Sequence, residues 1–283
     1  MSNLPKSPLI GDARNQEILS SATTYLYRET PAGSLQAHFY FPADFDYERD
    51  RKPAIFFFHG GLWDISAPTQ FVPHCHHFAS RGMVAATLEY RTKALFDGTP
   101  EAAISDVKKA LSFFKANAAS MGIDASQTVA VGASAGANAV LAATLHPHVA
   151  ALGPAPRPEA LILFGPISDT SPKGIGNERF ATPRDGKIQS PLRYLPQKGL
   201  PPCLIFHAKQ DRVVPFELSQ RFAKKYRKRR NRCDLMEFEK AGHTFFNYNS
   251  DEKNYEITLR AADHFLVDLG ILEPDQLDDV LHS

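Results

Sequence analysis

A mostly parallel eight-stranded sheet with helices on both faces, an α/β fold, follows from three features of the 283-residue sequence. Short continuous apolar runs such as Ala54-Ile55-Phe56-Phe57-Phe58 have the pattern of strands buried on both faces. Segments of helical character alternate with these runs, which argues for parallel strands joined by crossover helices. With 43% hydrophobic and 22% charged residues, the chain has the makeup of a water-soluble globular protein, and its length suits one domain over residues 1–283.

The elements follow in order. Residues 21–30 and 34–42 are rich in β-branched and aromatic side chains and meet at Pro31-Ala32-Gly33, which predicts an antiparallel hairpin. The third strand is Ala54–Phe58, ending at His59-Gly60-Gly61. Residues 83–89, 128–131, 160–164, 203–206 and 235–238 complete the eight. The clearest helix covers 101–116, where Ile104, Val107, Lys108, Leu111 and Phe114 fall near one face and Pro100 suits a first turn. Asn138–Leu145, 216–230 and 253–269 are further helical segments. Residues 166–202 are rich in Pro and Gly and hold no period; an irregular connection of that length predicts a lid or cap over a site.

A formal net charge of +1 creates no global field toward nucleic acid, an anionic membrane or a polyanion, so a small-molecule partner is expected. The three cysteines, Cys75, Cys203 and Cys233, are odd in number and lack metal-type spacing. The N-terminal residues lack the basic region and apolar stretch of a signal peptide, and no later segment approaches the roughly 18 apolar residues of a membrane span, so a cytoplasmic protein is expected.

The chemistry is concentrated in three places. Gly132-Ala133-Ser134-Ala135-Gly136 follows the strand Val129-Ala130-Val131 and precedes a helix-prone stretch. A serine hydroxyl is a poor nucleophile and must project from a tight turn toward a base, and small flanking residues let that turn close. The helix start also presents backbone N–H groups, which makes the Ala135 amide one candidate donor to an oxyanion. Gly60 and Gly61, leaving the third strand, are the candidates for the second donor. His243, just after the eighth strand, is the candidate general base, and Asp211, just beyond the seventh, the residue that orients it. Asp169 is the alternative acid.

These segments resemble the α/β-hydrolase superfamily, and His-Gly-Gly-Leu-Trp at 59–63 with Gly-Ala-Ser-Ala-Gly at 132–136 is similar to its small esterases, among them feruloyl and acetyl-xylan esterases and kynurenine formamidases. The resemblance runs from about Ala54 to Phe246 and implies the α/β-hydrolase fold and a serine carboxylesterase acting through an acyl-enzyme, with no cofactor or metal. Leu62 stands where hormone-sensitive-lipase relatives carry a third glycine, and Ala137 where they carry one after the elbow. A lid of modest length points to short acyl groups, on an acetylated carbohydrate or a small aryl ester. Arylformamide hydrolysis by the same residues, or a non-catalytic binding module on the same fold, are the alternatives.

Other features have plainer readings. His74, Cys75, His76 and His77 invite a zinc site, but i, i+2 and i+3 do not share one helix face. The basic residues Lys224, Lys225, Arg227, Lys228, Arg229 and Arg230 are expected to form a solvated helix end. Leu62, Trp63, Phe245 and Phe246 adjoin the catalytic segments and are expected to line the substrate pocket.

Overall fold

The computed structural model describes residues 10–146 and 157–275. Eight strands form one sheet in the spatial order β1-β2-β4-β3-β5-β6-β7-β8. β1 (Thr23–Thr30) and β2 (Gly33–Tyr40) make the expected antiparallel hairpin, and β2 also runs antiparallel to β4 (Val84–Leu88). β3 (Lys52–Phe58), β5 (Ile123–Ala133), β6 (Ala160–Phe164), β7 (Cys203–Ala208) and β8 (Cys233–Phe238) add parallel ladders.

The apolar runs are continuous because both faces of the sheet are covered. Along β3, Phe56 and Phe58 point into a core with α3 (Pro100–Asn117), α4 (Ser134–Leu145) and α6 (Phe216–Arg227). Ile55 and Phe57 point the other way, into a core with α2 (Val72–Ser80) and α7 (Glu252–Asp268). The helix starts are legible: Thr99 Oγ1 accepts the Ala102 N–H at 3.3 Å with Pro100 in the first turn of α3, and Asp251 Oδ1 accepts the Asn254 N–H at 3.0 Å at the start of α7. α6 buries Phe216, Leu218, Phe222 and Tyr226, and Lys224, Lys225 and Arg227 occupy its last turn, where they complement the helix dipole.

Two elements were not anticipated. α1 (Ile10–Leu19) has no apolar stripe that would announce it, and α5 (Pro183–Gln189) is a short helix inside the irregular 166–202 segment. Among the described residues, no helix is long and apolar enough to cross a membrane.

The strand order places the site. β3 and β5 are neighbours, but the helix after β3 packs on one face of the sheet and the helix after β5 on the other. The loops leaving their carboxyl ends therefore diverge, and a crevice opens between them, the usual place for a ligand in an open parallel sheet.

Candidate active site

Ser134 sits in that crevice at the turn from β5 into α4, with φ at +50°. A side chain in the left-handed region is strained, and close neighbours hold it there. A Cβ added at Gly132 would meet Ala137 Cα at 2.6 Å, and one added at Gly136 would meet the carbonyl oxygens of Phe58 and His59 at 2.3 Å. The elbow therefore requires glycine on both sides. Ser134 is 3% exposed, and its Oγ has no hydrogen-bond partner among the described residues.

His243 follows β8 in a loop and stays partly open, its side chain 17% exposed. Its Nδ1 lies 2.6 Å from Asp211 Oδ2; facing a carboxylate, Nδ1 carries the proton and donates it, which leaves Nε2 as the basic nitrogen. Asp211 is held from three sides. The Val213 and Val214 amides donate to Oδ1 at 2.8 and 2.9 Å, and His207 Nε2 lies 3.3 Å from Oδ2. Burial alone would push this carboxyl up, but the hydrogen bonds from His207, His243 and the Val214 amide outweigh it and hold Asp211 well below the usual carboxylate range. Asp169, the alternative acid, is engaged elsewhere: its Oδ1 accepts from the Ser171 amide at 3.0 Å and from Ser190 Oγ at 3.1 Å.

A cavity of about 320 Å³ brings Ser134 and His243 together with Gly60, Gly61, Leu62 and Phe246. Asp64, Ile65, Gln70 and Val213 complete much of the wall. Of the expected pocket residues, Leu62 and Phe246 line it and two others do not. Trp63 is 2% exposed and turned into the core, edge-on to Phe180 with ring centroids 6.0 Å apart. Phe245 is 2% exposed and packs on Phe238 at 4.5 Å. Adjacency to these segments therefore does not decide which of two neighbouring side chains reaches the cavity, since Phe245 and Phe246 pack in one core with ring centroids 5.7 Å apart and only Phe246 lines it.

The 166–202 segment differs from its expected place. It contributes none of the residues lining this cavity. It braces the β3 loop from outside instead: Phe180 packs on Trp63, and Arg179 pairs with Asp64. Leu62 and Trp63 in that loop have φ of 51° and 62°, strained values that such bracing sustains.

The donor geometry also differs at one residue. The Gly60 N–H donates to Gln70 Oε1 at 2.7 Å, so it is already used. The Gly61 N–H has no acceptor among the described residues. Ala135 is the second residue of α4, whose first N–H groups have no intrahelical acceptor, and no side chain caps that end. His59 locks the strand end, donating from Nδ1 to Gly60 O at 2.7 Å and stacking on Tyr90 with centroids 4.4 Å apart; burial, partly offset by that bond, lowers its pKa to about 4.

Sequence reasoning passed over several supporting residues. Gly165, at φ +48° after β6, lies under the imidazole: an added Cβ would stand 3.3 Å from His243 Cε1 and 3.4 Å from Asp211 Oδ2. A glycine ending a buried strand was its only signal. Gln70 had none, because a glutamine ten residues after Gly60 marks no motif, and Arg179 had none because its partner Asp64 is 115 residues away. His74 is buried among Phe57, Phe71, Phe164 and Tyr255, while His77 pairs with Asp263. Among the described residues, no group of three or more His, Cys, Asp or Glu could hold a metal ion.

Comparison with known proteins accords with this architecture. The BD-FAE family model matches residues 39–152, and the dienelactone hydrolase family model matches residues 183–267. Thermogutta terrifontis esterase 2, solved after phosphoramylation by tabun, is 36% identical with a TM-score of 0.84, over 91% of this chain and 98% of that one. The same esterase has been solved with propionate and with butyrate bound. Endo-1,4-beta-xylanase B of Butyrivibrio fibrisolvens is 26% identical over 206 residues, 65% of this chain and 32% of that protein. Gut esterase 1 of Caenorhabditis elegans is 31% identical over 108 residues, 35% of this chain and 19% of that protein. The matches thus span about a third and a fifth of those two curated relatives. The chain belongs to the α/β-hydrolase esterases.

Proposed function

We propose that this chain is a serine carboxylesterase for short acyl groups, with Ser134 as nucleophile, His243 as general base and Asp211 as the acid that orients it. The observation that carries the reading is the sharing of one cavity by a buried, unpartnered Ser134 hydroxyl and an imidazole whose Nδ1 is committed to Asp211. Ser134 Oγ attacks the ester carbonyl and gives its proton to His243 Nε2. The tetrahedral oxyanion accepts from the Gly61 and Ala135 amides. His243 then protonates the departing alcohol, and the resulting acyl-enzyme is released by a water that His243 activates.

A cavity near the lower end of the range for small-ligand sites supports a short acyl group, as do the propionate and butyrate complexes of the T. terrifontis esterase. That esterase's covalent modification by tabun supports an activated nucleophile here. The three buried free thiols, Cys75, Cys203 and Cys233, fit a reducing compartment and support a cytoplasmic location.

The test is hydrolysis of p-nitrophenyl esters from acetyl to dodecanoyl by the wild type and by Ser134→Ala. Turnover should be confined to the short chains and fall by at least about 10³-fold in the variant. Full activity in Ser134→Ala would remove Ser134 as nucleophile, and preference for dodecanoyl would overturn the short-acyl reading.

A further inference from the structure

A second cleft, of about 610 Å³, adjoins the catalytic cavity, and Ala67 and Gln70 form walls of both. We propose that this cleft is the subsite for the alcohol portion of the ester, and that it selects polar alcohols carrying a carboxylate or another anionic group. The proposal rests on the esterase reading above and extends it to the leaving group.

Position is the first argument. The leaving oxygen takes its proton from His243, so whatever is attached to that oxygen departs on the imidazole side. Thr244 and Phe246, on the loop that carries His243, line the catalytic cavity, and the same loop continues as residues 247–250 into the wall of the second cleft. Gln70 stands at the junction with its Oε1 committed to the Gly60 amide. Its side-chain N–H groups remain as donors where the two spaces meet.

Chemistry is the second argument. Leu62, Ile65, Val213 and Phe246 give the catalytic cavity an apolar wall, suited to an acyl chain. The second cleft also has apolar walls, from Ile18, Val72 and Pro73, but it adds amides and hydroxyls such as Asn247 and Ser250, and Arg14 is the one charged side chain among the described residues that line it. Among the described residues, Arg14 has no side-chain hydrogen bond or ion pair, and none of those that line the cleft is acidic. Asn247 Oδ1 is buried and accepts no hydrogen bond from the described residues, a desolvated acceptor that a hydroxyl or N–H of a bound alcohol would satisfy. Tyr248, 47% exposed, offers an aromatic edge beside it.

The experiment holds the acetyl group fixed and varies the alcohol. kcat/KM is measured for 4-acetoxybenzoate and 4-acetoxyphenylacetate, each against its neutral methyl ester, with p-nitrophenyl acetate as reference. Wild type, Arg14→Gln and Arg14→Glu are compared; Arg14 is exposed, so both variants should fold. For each substrate pair, the anion-to-neutral ratio in the variant is divided by that in the wild type, which cancels the intrinsic reactivity of the phenols. That quotient should fall about threefold to fivefold for Arg14→Gln and further for Arg14→Glu, the size an exposed charge pair supports. The wild-type preference should also shrink between about 0.01 M and 1 M salt, as the screening length drops from about 30 Å to 3 Å.

A quotient that stays at one in both variants, or an equal loss on charged and neutral esters, would overturn the subsite. Such a result alongside normal p-nitrophenyl acetate turnover would leave the esterase reading intact. Absence of that turnover in the wild type would instead break the esterase reading itself.

Discussion

Two histidines lie against the same carboxylate, at the ends of neighbouring strands, and their surroundings differ in one respect. His207, at the end of β7, has no exposed side-chain surface and both ring nitrogens committed. Nε2 faces Val214 O at 2.9 Å and Asp211 Oδ2 at 3.3 Å, both acceptors, so it carries the proton, and Nδ1 accepts from Ser219 Oγ at 2.7 Å. His243, beyond β8, spends only Nδ1 on Asp211 and stands in a loop at the edge of a cavity. One carboxylate thus anchors an imidazole that cannot act as a base and another that can. The uncommitted nitrogen is the difference, and it arises from a loop position rather than a strand position.

The largest test of this contrast replaces each ring. His243→Ala should lower kcat by on the order of 10⁶ with little loss of stability, since its imidazole is partly exposed. His207→Ala should cost about 2–4 kcal/mol in urea unfolding, because it empties a buried volume and strips partners from Asp211, Val214 O and Ser219. Its kcat should fall far less than that of His243→Ala. Comparable rate losses in the two variants would erase the distinction.

His74 extends the comparison to an imidazole with no carboxylate at all. Both of its nitrogens are buried without partners among the described residues, and burial, with the nearby His77 adding to it, holds its pKa at about 3 against an ordinary 6.5. A base with its folded pKa lowered contributes fully above the unfolded pKa, and the contribution is lost as the pH falls from about 6.5 toward 3. His74→Phe should therefore change stability little at pH 8, yet gain about 2 kcal/mol relative to wild type at pH 5. Urea midpoints at the two pH values would decide it, and an unchanged gap would contradict the account. Asp211 shares the direction of loss but at lower pH: its depressed pKa leaves its contribution intact until the pH falls below about 4, so it should not shape this window.

The smallest expected effect comes from beneath the shared carboxylate. Gly165→Ala would set a methyl 3.3 Å from His243 Cε1 at a left-handed φ of +48°. We expect a cost of about 1 kcal/mol in stability and about a tenfold fall in kcat through displaced imidazole geometry. Wild-type kcat in this variant would mean that the pair tolerates a shift that the packing argues against.

The framework of the fold was written locally. The run Ala54–Phe58 announces a doubly buried strand, and Thr99 with Pro100 announces the start of α3, because propensity, capping and apolar patterning act between near neighbours. Ser134, Asp211 and His243 were legible for a related reason. Each follows a recognisable strand, and glycine at 132 and 136 marks a turn that no larger residue could make. Trp63 and Phe245 lie outside the cavity wall because Phe180 and Phe238 pack them into the core, partners that composition does not announce. The 166–202 segment was misplaced because its partners, Trp63 and Asp64, lie over a hundred residues upstream, as the 115-residue separation of Arg179 from Asp64 illustrates.

The sequence by itself thus determined a parallel sheet covered on both faces and the three strand ends that carry Ser134, Asp211 and His243. Only the tertiary structure decided which amide at 60–61 stays unengaged, which aromatic rings face the cavity, that His207 shares Asp211 with His243, and that a second cleft adjoins the site. The reason is range. Strands and turns are chosen by interactions a few residues apart, whereas the commitment of a particular N–H or ring nitrogen depends on groups that meet only when the layers pack.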